Sequence, residues 1–175
     1  MQGVGNHSAI FSASVLLPGG LLIIAFNIIG PLLTNRIGIK KVLIMGCVIS
    51  IIGFATMMMY TQDSSFEFMA ITQSIRFIGA GLALMPATTW TLTMVSDKVE
   101  DGTAVNNTLR QIFAAIGSSM AVVVMAILAG GAIGHNSASV TGFNQTSLIL
   151  LILHVIMLIL TVLFIDDKEK IENSS

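Results

Sequence analysis

An arginine lies deep inside a long apolar run of the sequence, where a charge is costly. Arg76 stands about nine residues into the run from about Phe68 to Val95, roughly 13 Å from its start at about 1.5 Å per residue of helix. A cation at that depth in a membrane costs at least ~2.5–3.5 kcal/mol unless it is paired or faces water. The pattern predicts either a cavity-facing arginine paired with a carboxylate or carbonyl of another helix, or a structural tie between helices.

Small residues and one aromatic residue recur on the helix face of Arg76, which is the lining that a passage for small molecules would need. The chain also has 11 methionines, and methionine adapts to apolar ligands of varied shape, although it is equally an ordinary residue of membrane spans. The candidates for a transport pathway on this helix are Arg76, Ala80, Ala83, Met85 and Trp90.

Three polar side chains lie one helical turn apart near the start of another apolar run. They are Asn107, Arg110 and Gln111. One interpretation is a hydrogen-bonded cluster between helices that closes a gate. The alternative is that Arg110 anchors the end of the helix at the membrane interface.

A histidine stands near the middle of the last apolar run. Histidine titrates close to neutral pH, so His154 is a candidate for a proton pathway. A lone histidine among leucines and isoleucines is also consistent with a neutral residue whose hydrogen bonds are satisfied inside the helix bundle.

The elements that position these residues are membrane spans. Charged residues make up 10% of the chain and apolar residues 54%, with a mean hydropathy of +0.90, whereas a soluble domain carries about a quarter charged residues. Five runs are long enough to span a bilayer, and we expect an all-α membrane protein. The predicted spans are residues 9–33, 42–60, 68–95, 104–133 and 145–165, with a break at 130–137 and a tail at 166–175. The second span, almost free of polar groups, is predicted to be a lipid-facing scaffold.

A basic turn between the first two spans sets the predicted orientation. The turn over Gly30–Lys41 carries Arg36, Lys40 and Lys41, and cations next to spans stay cytoplasmic. With this turn inside, seven of the eight Lys and Arg residues lie on the cytoplasmic side. We therefore expect a multi-pass protein of the cell membrane with its N-terminus outside and its C-terminus in the cytoplasm.

Several classes of function are excluded by what the sequence lacks. The nearly balanced charge gives no support to nucleic-acid binding, and the single cysteine excludes a disulfide framework or a cysteine-ligated zinc site. No motif for a nucleophile with its base, a Walker-type loop, a cofactor or a metal is present. The chain is therefore not expected to be an enzyme. No Asp or Glu lies within the five predicted spans.

The loop Asn35-Arg-Ile-Gly-Ile-Lys-Lys resembles the second copy of a loop motif of the major facilitator superfamily, Gly-x-Leu-x-Asp-Arg-x-Gly-Arg-Lys. Leu33, Arg36, Gly38 and Lys40 match it, whereas Pro31, Asn35 and Ile39 depart from it. Leu17-Pro-Gly-Gly-Leu, Arg76-Phe-Ile-Gly-Ala-Gly with Met85-Pro86, and Asn106-Asn-Thr-Leu-Arg-Gln resemble successive helices of the fourteen-span drug:proton antiporters of the EmrB/QacA type. The resemblance makes Arg36, Gly38 and Lys40 candidates for gating.

The resemblance implies that the five spans are the last five of a six-helix C-terminal half. The intact protein would exchange protons for small lipophilic, often cationic compounds, and this chain, a fragment without the N-terminal half, would be inactive by itself. Two alternatives remain open. One is a small membrane protein that binds a partner through its small-residue faces, and the other is a facilitator for a different solute.

Overall fold

Five helices make up the part of the chain that a computed structural model describes, residues 9–61, 64–93, 99–128 and 140–165. They are α1 (Ala9–Ile37), α2 (Ile39–Met57), α3 (Phe66–Thr93), α4 (Val99–Leu128) and α5 (Val140–Phe164). Each is long and apolar enough to cross a membrane, and no strand occurs in these ranges. The prediction of an all-α membrane protein with five spans is confirmed. The predicted break at 130–137 and the tail at 166–175 lie outside the described residues.

The first two helices follow each other more closely than the sequence predicts. α1 continues to Ile37 and α2 begins at Ile39, so the expected turn over Gly30–Lys41 is reduced to one residue. Gly38 has a φ of 90°, which glycine adopts without the steric cost that a Cβ atom brings.

α3 lies at the centre of the bundle, because it packs along both α1 and α2. Glycines permit these close approaches. A Cβ atom at Gly46 of α2 would come within 2.9 Å of the carbonyl oxygen of Gly79. On the other side, a Cβ atom at Gly81 would come within 2.9 Å of the Cβ atom of Phe26 in α1. Small residues at such contacts let the backbones of membrane helices touch.

The second span, predicted to be a lipid-facing scaffold, leaves Met45, Val48 and Ile52 exposed but is also packed on two sides. α2 packs against α3 on one side and against α5 on another. Cys47, Ser50 and Phe54 of α2 are buried in these contacts. The polar residues of α2 did not indicate this packing, because the α2–α3 contact depends on glycines, Gly46 and Gly53, which have no side chain.

α4 packs against the other helices over a much smaller surface than α1, α2 and α3 do. It contacts α5 and touches α3 only slightly, and no residue of its apolar window is buried. The densest packing lies where α1, α2 and α3 meet. The buried residues of this cluster, here called the Tyr60 cluster, are Val15, Phe54, Met57, Tyr60 and Met69.

Candidate functional site

The backbone of Arg76 lies directly against α2. A Cβ atom placed on Gly53 would come within 2.8 Å of Arg76 Cα and within 2.9 Å of Arg76 Cβ. Arg76 is ten residues from the start of α3 at Phe66, or about 15 Å along a helix that rises about 1.5 Å per residue. The structure therefore holds this cation well inside the span, in the contact between two helices.

The guanidinium of Arg76 is held by an amide and two aromatic rings. Its Nε donates a hydrogen bond to Gln73 Oε1 at 3.0 Å, one helical turn earlier on α3. Its central carbon lies 4.4 Å from the ring centroid of Phe77 and 5.7 Å from that of Phe54. A cation over an aromatic face gains about 0.5–2 kcal/mol, more when it is desolvated. The rings therefore offset part of the cost of the buried charge.

The expected carboxylate partner of Arg76 is not found among the described residues. Glu67 is the one acidic residue whose side chain the structure describes; it is exposed and lies nine residues before Arg76 on the same helix. The support for the cation comes instead from Gln73 of its own helix and from Phe54 of α2.

Phe77 can lie beside Arg76 because of a glycine on α1. The Phe77 ring occupies the space that a side chain on Gly19 would fill. Gly19 belongs to the Pro18-Gly19-Gly20 sequence of α1, which lies inside the helix. Gly19 therefore makes room for one of the two rings that hold the Arg76 charge.

His154 of α5 meets the same aromatic residue as Arg76. The rings of His154 and Phe54 have centroids 4.7 Å apart and planes tilted by 50°. His154 Nδ1 lies 2.9 Å from the carbonyl oxygen of Leu150, so the Nδ1–H tautomer donates a hydrogen bond there. Phe54 thus connects two predicted site residues from different helices, Arg76 and His154.

Sequence reasoning missed the three residues that support Arg76. Gln73 carried a readable signal, because a polar side chain three residues before a charge lies on the same helix face. Phe54 and Phe77 gave none, since apolar residues are unremarkable in a span. Their contact with Arg76 depends on how three helices meet.

The other candidates on α3 occupy different surroundings. Ala83 packs against α2, with its Cβ atom 3.0 Å from where a Cβ atom of Gly46 would stand. Ala80 and Trp90 are half-buried, and Met85 is 43% exposed. Ala83 therefore belongs to a helix contact, and Met85 to an open face.

The candidates for gating lie at the other end of α1 and on α4. Arg36 is exposed, Lys40 is half-buried and Gly38 forms the turn between α1 and α2. Asn107, Arg110 and Gln111 are exposed on α4. The described structure shows no packing contact that covers these three side chains.

A second polar arrangement closes the end of the bundle that contains Tyr60. The Tyr60 hydroxyl donates to the carbonyl oxygen of Met69 at 3.1 Å and is hydrogen-bonded to the Thr72 hydroxyl. Asn144 Nδ2 donates to the carbonyl oxygen of Tyr60 at 3.1 Å, and the Phe143 ring stacks on the Tyr60 ring at 5.4 Å. These contacts connect the turn after α2 to the start of α5. Burial raises the pKa of the Tyr60 phenol, so its neutral form is favoured here.

The described residues include no group of three or more His, Cys, Asp or Glu that is able to hold a metal ion. What the arrangement offers is a fixed cation, aromatic faces and small-residue helix contacts inside five membrane spans. These features define an all-α, multi-pass membrane protein.

Comparison with known proteins identifies the homologues as MFS-type transporters, that is, members of the major facilitator superfamily. The chain is 25% identical to the MFS-type transporter YcnB of Bacillus subtilis over 91% of its length and 34% of the relative. It is 33% identical to the lincomycin resistance protein LmrB of Listeria innocua over 67% of its length and 25% of the relative. It is 30% identical to the multidrug transporter protein MdtP of Bacillus subtilis over 71% of its length and 23% of the relative.

The chain is thus similar to part of several transporters, two of them named for drug resistance or multidrug transport, and the five helices are consistent with part of such a fold. Because the relatives are transporters, the prediction that the chain is not an enzyme is confirmed. The chain spans between 23% and 34% of the length of these relatives. No family model matches the chain, and no solved structure matches it.

Proposed function

We propose that this chain forms part of a drug exporter of the EmrB/QacA type, which exchanges protons for small lipophilic compounds. The observation that carries the proposal is the similarity of this five-span bundle to drug-resistance transporters over two thirds or more of the chain. The structure adds a pathway candidate, because Arg76 lies inside the span beside aromatic side chains. Intramembrane charges of this kind commonly mark the route of a substrate or an ion.

The proposed transporter is larger than this chain. A proton-coupled exporter needs a group in the membrane that binds and releases a proton, and no Asp or Glu lies in the five predicted spans. His154, within the last of those spans, remains a candidate for a proton pathway. We therefore assign the main coupling groups and the opposite wall of the pathway to an N-terminal half, and this chain to most of the C-terminal half. Transport would then proceed by rocking of the two halves about a central site.

In the proposed transporter, the polar residues around the α1–α2 turn and those on α4 act as parts of a gate. Gly38 forms the turn that the loop-motif resemblance marks, with Arg36 at the end of α1 and Lys40 at the start of α2. Asn107, Arg110 and Gln111 present exposed polar groups on α4, which gain hydrogen-bond partners when the halves close. We infer from the cations of the basic turn that this side faces the cytoplasm and that the protein belongs to the plasma membrane.

Dye accumulation in cells tests this proposal. Efflux-deficient bacteria would express either this chain alone or the whole reading frame that contains it, and the accumulation of ethidium and of dansylglycine would be compared. We expect the whole reading frame to lower the accumulation of at least one dye, and this effect to vanish when the proton gradient is collapsed. We expect the 175-residue chain to change neither. If expression of the whole reading frame leaves the accumulation of both dyes unchanged, the proposal is contradicted. An interaction protein or a transporter of a different solute would then be favoured.

A further inference from the structure

Arg76 has hydrogen-bond donors that the described residues leave unused. A guanidinium has five N–H groups, and the hydrogen bond found for Arg76 comes from Nε, to Gln73. Its two terminal amino groups, which form the fork that matches a carboxylate, make no hydrogen bond within the described ranges. The side chain is half-buried, so part of it remains open to a ligand.

The support of Arg76 does not depend on an anion. Gln73 fixes Nε, and Phe77 and Phe54 lie against the guanidinium at 4.4 and 5.7 Å. The contact between Gly53 and the Arg76 backbone fixes the base of the side chain. An anion can therefore arrive and leave while the cation stays in position. A site for a transient ligand requires a cation that is held in position without the ligand, whereas a permanent ion pair does not require this.

We propose that the terminal amino groups of Arg76 bind the carboxylate of a lipophilic compound, which makes amphiphilic carboxylic acids a substrate class of the transporter. The inference rests on the proposed function and names the chemistry of its site. A carboxylate gains two parallel charge-assisted hydrogen bonds from the guanidinium. The apolar part of the same compound lies among the apolar side chains that surround Arg76 in the spans.

Cationic compounds are disfavoured at this position for two reasons. Aromatic faces are the groups that hold a cation in an apolar site, and the faces of Phe54 and Phe77 nearest the site are taken by Arg76 itself. The fixed positive charge also repels a second cation, and a low-dielectric surrounding strengthens that repulsion. Selectivity of this kind arises from a repulsive element as much as from an attractive one.

Binding of two matched fluorescent compounds to the complete chain tests the inference. Dansylglycine carries a carboxylate, and dansylglycinamide replaces it with a neutral amide. Both would be titrated against the chain in phosphatidylcholine nanodiscs, with empty nanodiscs as the blank. We expect dansylglycine to bind about tenfold more tightly or better, since each factor of ten corresponds to about 1.4 kcal/mol. The Arg76→Gln variant should bind the two compounds equally.

Lys41→Gln is the matched control, because it removes one exposed positive charge and should leave the preference for dansylglycine intact. Arg76→Lys keeps the positive charge but lacks the planar fork. It should bind dansylglycine more weakly than the unmodified chain and dansylglycinamide equally well. If Arg76→Gln fails to fold, this variant provides the test of the Arg76 site. Equal binding of the two compounds by the unmodified chain, or a preference that survives Arg76→Gln, would overturn the inference. Binding is measured without transport. A failure of the binding experiment would therefore not contradict the proposed function, which dye efflux by the whole reading frame tests separately.

Discussion

Gly53 of α2 lies against Arg76 of α3 so closely that any side chain on Gly53 would collide with the Arg76 backbone. A Cβ atom there would come within 2.8 Å of Arg76 Cα and 2.9 Å of Arg76 N. The neighbouring backbone has no freedom to move aside as a flexible side chain does, so this contact fixes how deep α2 and α3 pack.

The Gly53→Ala substitution tests this contact. Because the added methyl group must push two helices apart, we expect a loss of about 1–3 kcal/mol in stability, the usual cost of overpacking. Thermal unfolding of the purified chain in detergent measures it. Gly117→Ala is the control, since a Cβ atom at Gly117 meets nothing within 4 Å, and alanine is favoured over glycine by about 0.5–1 kcal/mol within a helix. Equal stability of the two variants would show that α2 and α3 are not in close contact.

Arg76 should matter to transport more than to abundance in the intact transporter. Arg76→Ala removes the hydrogen bond to Gln73 and both ring contacts, and hydrogen bonds of charged groups contribute about 1.5–3 kcal/mol each. We expect efflux to fall at least about tenfold, which corresponds to about 1.4 kcal/mol, with partial recovery in Arg76→Lys. Membrane abundance measured by immunoblot serves as the control. Lost abundance with unchanged transport per molecule would instead identify a structural tie between helices.

The number and type of the helices could be predicted from the sequence, because runs of about 20 apolar residues have few other solutions in a membrane. The residue types at the site were also foreseeable, since Arg76 and His154 stand out among apolar neighbours. Their surroundings were not. The contact between His154 and Phe54 joins two helices far apart in sequence, so it depends on packing and not on periodicity. The packing of α2 against both α3 and α5 was missed for the same reason.

Tyr60 should titrate at a higher pH in the folded chain than in the unfolded one. Burial raises the pKa of this phenol above its usual value near 10. The neutral phenol therefore contributes stability that is present below the unfolded pKa and is lost as the pH rises through the folded pKa. As the chain has a single tyrosine, phenolate absorbance reports Tyr60 alone. A pKa that is the same in the detergent-folded and the denaturant-unfolded chain would contradict the buried position.

Cysteine labelling tests the predicted orientation. In a chain without Cys47, a cysteine at the exposed Lys41 should resist a membrane-impermeant thiol reagent in intact cells, because cations next to a span stay cytoplasmic. A cysteine at the exposed Thr61, beyond the opposite end of α2, should react. Both should react after permeabilisation, which serves as the control. The reverse pattern would invert the orientation of all five spans.

Proton-coupled transport by the purified whole-reading-frame protein tests the central proposal most directly. In proteoliposomes with an acidic lumen, we expect dansylglycine or ethidium to accumulate inside while protons leave, as reported by a pH-sensitive dye in the lumen. Collapse of the gradient with an ionophore should abolish the accumulation. Transport that proceeds equally with and without a gradient, or a proton flux that neither compound changes, would contradict the assignment of this chain to a proton-coupled drug exporter.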